Sequence, residues 1–105
     1  MKDKLLAHLE NDYNIEVRTI EADGETWYNA RDILIPLGYH NVSVTINDKC
    51  LKSGIAKFKV DSGRGGMQTY LYISHSNFCR IILTSKKGKV KKLQNWLLNN
   101  LAQAV

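Results

Sequence analysis

Cysteine is scarce in this chain: Cys50 and Cys79 lie far apart and without CxxC spacing. Two such residues supply neither a disulfide framework nor a zinc ribbon and read as buried thiols. The three histidines, His8, His40 and His75, have no ligand-pair spacing with one another or with either cysteine, so a zinc site is not expected. No apolar run approaches the roughly 20 residues needed to span a bilayer. The start, Met1-Lys2-Asp3-Lys4-Leu5-Leu6, lacks the apolar core of a secretory leader, and a cytoplasmic location is the expectation. Proline occurs once, at Pro36, and no linker, repeat or low-complexity segment divides the chain. One domain is therefore expected.

What is present supports folding. A hydrophobic content of 44% with 24% charged residues is near the globular average. The 105 residues allow a single core. Fifteen Lys and Arg against ten Asp and Glu give a net charge of +5, a balance suited to nucleic acid, anionic lipid or an acidic protein.

Periodicity outlines an α+β order of elements. Leu5, Leu6 and Leu9 predict an amphipathic helix from about Lys2 to Glu10, broken by Asn11-Asp12-Tyr13-Asn14. Glu16 to Asn29 reads as a hairpin about Asp23-Gly24, a dipeptide suited to a type I′ turn, with a bulge between Val17 and Ile20 where the apolar parity shifts. Asn29 caps a helix opening Ala30-Arg31-Asp32-Ile33-Leu34, which Pro36 keeps short and Gly38 closes. For Val42 to Lys49, after Asn41, helix and β-branched strand compete.

Ala56, Phe58 and Val60 alternate with polar residues, as do Met67, Thr69, Leu71 and Ile73 with Gln68, Tyr70 and Tyr72. These predict two strands joined by a flexible Ser62-Gly63-Arg64-Gly65-Gly66 loop. Ser74 caps a helix through Leu83 with Phe78, Ile81 and Ile82 inward and Asn77, Arg80 and Thr84 on the opposite face. A last helix begins near Lys89, with Val90, Leu93, Leu97 and Leu101 as its apolar stripe, Trp96 at the edge, and Lys92, Asn95 and Asn99 outward. The expected architecture is a small antiparallel sheet covered on one face by short helices.

Five lysines, Lys86, Lys87, Lys89, Lys91 and Lys92, fall within seven residues. They read either as a solvated face or as a set of phosphate contacts, which would give affinity without sequence discrimination. Base readout needs Arg, Asn or Gln on an element that enters a groove. Candidates are Asn41, Ser43, Thr45, Asn47 and Lys49 on the Asn41 to Lys49 segment, and Arg64 as a finger on the glycine-rich loop; Asn41 as a mere helix cap and Arg64 as a solvated turn residue are the alternatives. The Gly63-Arg64-Gly65-Gly66 loop leads into a strand and not a helix N-terminus, so it is not a nucleotide cradle. Ser74-His75-Ser76 is explained by a helix start, and the pairs Asp23 with Glu25 and Glu21 with Asp32 have no distinctive spacing. Trp27, Trp96, Tyr70 and Tyr72 read as packing residues before they read as a base-stacking platform.

The order of segments adds a resemblance. Asp23-Gly24-Glu25-Thr26-Trp27-Tyr28-Asn29-Ala30-Arg31-Asp32-Ile33 resembles the "DGEPWFVAKDV" stretch of the BRO-N domain of phage and prophage antirepressors, and Leu37-Gly38-Tyr39-His40-Asn41 its "LGYSNP" turn. Gly66 to Ser74, Arg80 to Lys86 and Val90 to Leu97 are similar to its later strand, its "RLILRSRK" segment and its closing helix. Val42 and Gly88 stand where the family often has proline. The likeness runs from about residue 16 to 101. It divides the chain into an N-terminal helical extension, residues 1–14, and a family-like core, residues 15–101.

The resemblance implies an α+β fold, a phage or prophage origin, and regulation of transcription in a bacterial host cell through DNA binding. It implies double-stranded DNA as partner, and the residues then expected to bind it are Lys86, Lys87, Lys89, Lys91, Lys92, Arg80, Arg64, Asn41, Asn47 and Lys49, with no cofactor and no metal expected. The alternative is an antirepressor that sequesters a repressor or other host protein without touching DNA. A homodimer would suit either, although no residue pattern marks its interface. No enzyme is expected.

Overall fold

A computed structural model describes residues 4–104, with side-chain surroundings through Asn100. The chain runs α1 (Lys4–Tyr13), β1 (Thr19–Ala22), β2 (Glu25–Asn29), α2 (Ala30–Leu34), α3 (Val42–Lys49), β3 (Ile55–Asp61), β4 (Met67–Ile73), α4 (His75–Thr84) and α5 (Lys91–Ala104). The strands form one antiparallel sheet in the order β1-β2-β4-β3. This is the α+β domain that the periodicities imply. Among the described residues no helix is long and apolar enough to cross a membrane.

Local chemistry sets most boundaries. Asp23 and Gly24 both take positive φ, 55° and 77°, and close the β1–β2 hairpin as a type I′ turn. Asn29, Asn41 and Ser74 cap α2, α3 and α4, their side-chain oxygens accepting the backbone N–H of Asp32, Val44 and Asn77. Asn41 thus settles the contested segment as a helix. Its β-branched residues pose no obstacle, because Ile46 is driven into the core while Val42 and Thr45 stay half-buried.

Three expectations are corrected. α1 does not break at Asn11 but continues to Tyr13, whose ring meets His8 edge-on at 5.5 Å, and only Asn14, at φ 56°, turns the chain. Lys2, where that helix was expected to begin, lies outside the described residues. The bulge between Val17 and Ile20 is absent: the ladder runs unbroken from Thr19↔Tyr28 to Ala22↔Glu25. The parity shifts there because Val17 precedes the strand, where Arg18 is held by the Asp32 carboxylate through its backbone N–H (2.9 Å) and its guanidinium (2.8 and 3.0 Å).

Asn77, placed outward by helical counting, is instead buried. Its amide accepts the Leu51 N–H at 3.0 Å and donates to the carbonyls of Leu51 and Gly54 at 3.0 and 2.9 Å, tying α4 to the loop before β3. A buried amide is tolerable because that loop supplies its partners.

The core sits between the sheet and the helices. Leu5 and Leu9 of α1, Ile33 and Leu34 of α2, Ile46 of α3, Phe78, Ile81 and Ile82 of α4, and Leu93 and Leu97 of α5 meet Tyr28 and Ile73 from the sheet. Leu101, expected to extend the α5 stripe, falls outside the residues whose side chains are described.

The second hairpin outruns this core. β2 joins β4 only at Tyr28↔Ile73 and Asn29↔Tyr72, whereas β3 and β4 pair from Ile55↔Ile73 out to Asp61↔Met67. Ile73 is consequently buried and Leu71 half-buried, while Thr69 and Met67, on the same face, are exposed. The outer part of the hairpin is a two-stranded arm. On the other face of the sheet Trp27, Phe58 and Tyr72 pack edge to face, and Arg18 lies 5.0 Å from the centre of the Tyr70 ring. Packing accounts for these aromatics, as it does for Trp96, which stacks on His8 at 3.9 Å.

Candidate nucleic-acid interface

The site grows from the turn after α2. Gly38 takes φ 96°, a conformation that favours glycine, and so directs Tyr39 back toward the end of α4. The Tyr39 N–H bonds to the Leu34 carbonyl at 2.9 Å, and the Tyr39 hydroxyl lies 2.5 Å from Ser85 Oγ. Ser85 Oγ also accepts the Lys87 N–H at 3.3 Å. From α5, Gln94 Nε2 donates to the carbonyls of Ser85 and Ile82 at 2.6 and 3.0 Å. The short segment between α4 and α5 is therefore fixed from both sides.

That frame gathers cations remote in sequence. Lys87 Nζ lies 4.8 Å from the centre of the Tyr39 ring, and Lys49 Nζ lies 5.8 Å from it. Lys49 Nζ also donates to the Thr84 carbonyl at 3.2 Å, a cation at the C-terminal end of both α3 and α4. The side chains of Lys87 and Lys89 both pass within 4 Å of where a Cβ on Gly38 would stand. Lys86, Lys91 and Lys92 are exposed beside them.

Arg80 approaches from α4. Burial pushes the Cys50 thiol above its ordinary pKa, with the charges of Arg80 and Lys49 opposing the rise, which locates both cations near that thiol. Among the described residues none of these lysines, nor Arg80, forms an ion pair with a carboxylate. The positive field of this face is not cancelled internally.

The remaining candidates are dispersed. Asn41 spends its side-chain oxygen on the α3 cap, the plainer of its two readings, and Asn47 is exposed on α3 beside Ser43, Val44 and Asp48. Arg64 stands apart at the tip of the β3–β4 arm. The loop that carries it, expected to be flexible, is bridged by hydrogen bonds between Ser62 and Gly66, Gly63 and Asp61, and Arg64 and Ser62. There Arg64 shares an open groove with Arg31 and Lys57, two cations that sequence reading did not single out. Their only signal was exposure in the pattern: Lys57 alternates with apolar residues, and Arg31 follows a cap.

No group of three or more His, Cys, Asp or Glu residues converges as a metal site among the described residues. Ser74 Oγ accepts the Asn77 N–H as a cap. A small α+β domain with a face of unpaired cations has the make-up of a binding module. The chain belongs to the BRO family, N-terminal domain, whose family model matches residues 16–103. That family is regulatory, of the phage antirepressor and DNA-binding type, and is not a family of enzymes.

The chain is also 26% identical over 102 residues to a Haemophilus influenzae (strain ATCC 51907 / DSM 11121 / KW20 / Rd) protein described only as "Uncharacterized protein", covering 96% of this chain and 50% of that protein. The chain thus spans about half the length of that relative. No solved structure matches.

Proposed function

We propose that this domain binds double-stranded DNA through the face built on Tyr39, Lys49, Arg80 and Lys86 to Lys92, and acts as an antirepressor-like regulator of transcription in a bacterial host. The observation that carries the reading is the convergence of Lys49 and Lys87 on one tyrosine ring, with Lys89 alongside, none of them in an ion pair among the described residues. Lysines arranged in this way neutralise phosphates as point charges.

The test is fluorescence anisotropy with a labelled random-sequence duplex, comparing the native chain with the Lys89→Glu/Lys91→Glu/Lys92→Glu variant. Non-specific affinity in the range of about 1 to 100 μM, lost in the variant, supports the reading. Equal affinity of the two proteins contradicts it.

A second reading has its own observation: Val44 on α3 and Leu51 in the turn after it are 60% and 53% exposed. Apolar exposure of this kind suits a repressor or other host protein as partner. A complex recovered with a purified repressor that survives high salt would favour it, because apolar contacts are not screened.

A further inference from the structure

The arm formed by the outer halves of β3 and β4 does not stand free of the rest of the molecule. Between it and the first turn of α3 lies an open groove of about 690 Å³, with Arg31, Lys57 and Arg64 on its walls and Ser43, Gln68 and Tyr70 completing much of its lining. Among the described residues no carboxylate lines it. The three cations come from three elements: Arg31 from α2, Lys57 from β3, and Arg64 from the tip of the hairpin. All three are exposed, and none forms an ion pair among the described residues.

Ser43, at the second position of α3, adds a hydroxyl near backbone N–H groups that helix geometry leaves unpaired. Three cations lining one groove, with hydroxyl and amide donors beside them, suit an anion with several oxygens.

The location of the groove narrows the ligand. α3 has eight residues and so is about 12 Å long, with this groove at its N-terminal end and the Lys49, Lys87 and Tyr39 cluster at its C-terminal end. The major groove of B-DNA is about 12 Å wide and bounded by the two phosphate backbones. Between the two cationic sites α3 exposes Ser43, Val44, Asn47 and Asp48, a hydroxyl, a methyl-bearing side chain, an amide and a carboxylate, all groups that can read base edges.

We infer that the Arg31, Lys57 and Arg64 groove is a second phosphodiester-binding site, so that one duplex is held at both ends of α3 and this helix faces its major groove. The inference rests on the DNA-binding reading above and extends it to the opposite strand. The β3–β4 arm then acts as a clasp over the backbone, with Arg64 at its tip.

The experiment uses the full chain and a fluorescein-labelled random duplex, comparing the native protein with Arg31→Gln/Lys57→Gln/Arg64→Gln across salt. Unchanged thermal unfolding of the variant establishes that it folds. The expected result is an affinity about ten-fold lower or more near 100 mM salt, with the slope of log K against log salt shallower by about 2 to 3. In ¹⁵N-labelled native protein, the duplex also shifts the Ser43, Gln68 and Thr69 amides.

A variant that keeps both affinity and slope, while the Lys89/Lys91/Lys92→Glu protein loses binding, overturns the groove and leaves the DNA reading standing. No duplex binding by the native chain near 50 mM salt, a condition under which phosphate contacts are strong, overturns both. Amide shifts produced equally by inorganic phosphate alone, with duplex affinity unchanged in the variant, identify a free-anion site and also overturn the proposal.

Discussion

The Lys87 ammonium lies 4.8 Å from the centre of the Tyr39 ring, whose hydroxyl is 2.5 Å from Ser85, two residues before that lysine. One side chain thus both fixes the segment between α4 and α5 and orients the cation that segment carries. Lys49, reaching the same ring from α3, links the basic stretch to the helix that exposes polar side chains.

Separate substitutions divide the two roles of Tyr39. Tyr39→Phe removes the hydrogen bond to Ser85 and is expected to lower stability by about 1 kcal/mol with duplex affinity within two-fold of native. Tyr39→Ala also removes the ring under Lys87 and Lys49. Two partly exposed cation–π contacts of about 0.5 to 1 kcal/mol each hold those ammonium groups in place, and affinity is expected to fall by about three-fold to ten-fold. Urea unfolding and anisotropy measure the two effects.

Asn77→Ala removes three hydrogen bonds to the Leu51 to Gly54 loop and leaves the Leu51 N–H without its partner, while the Leu51 and Gly54 carbonyls keep the N–H groups of Gly54 and Ser74. The expected loss is about 1 to 3 kcal/mol in urea unfolding, the cost of one buried N–H left unsatisfied. Gly54→Ala acts on the same junction. Its Cβ would collide with Ser74 Oγ and Asn77 Nδ2, and a cost of about 1 to 3 kcal/mol is expected.

Burial pushes the Cys50 and Cys79 thiols above their ordinary pKa of 9.0. Both are therefore expected to react slowly with Ellman's reagent at neutral pH and to become fast only on unfolding. The sign of the stability effect follows from linkage. A folded-state value above the unfolded one gives stability that is full below pH 9.0 and lost as pH rises through the raised folded value. Native protein should lose more stability than Cys50→Ala/Cys79→Ala between pH 9 and the raised values, as urea midpoints would show. An equal loss in both would contradict the assignment.

The fold was readable where neighbours in the chain decide it. The Asp23-Gly24 turn and the caps at Asn29, Asn41 and Ser74 depend on residues at most three apart, and the apolar stripes of α4 and α5 record their buried faces directly. Asn77 was misplaced because helical periodicity counts faces and does not know that the Leu51 to Gly54 loop brings carbonyls to one of them.

The lysine run was visible for a similar reason: its members fall within seven residues of one another. That Lys49 joins it through Tyr39, and that Arg31 and Lys57 meet Arg64, depends on chain paths that no local pattern encodes. Single cations on separate elements look like ordinary solvated charges until the fold superimposes them.

The most direct test of the account is the salt dependence of duplex binding by native protein and by a variant with Lys86, Lys87, Lys89, Lys91 and Lys92 all changed to Gln. The account predicts that native binding weakens steeply between about 50 and 200 mM salt and that the variant's slope is shallower by about 4 to 5. Native binding that is absent, indifferent to salt, or of the same slope as the variant's would contradict the claim that this lysine face contacts DNA phosphates.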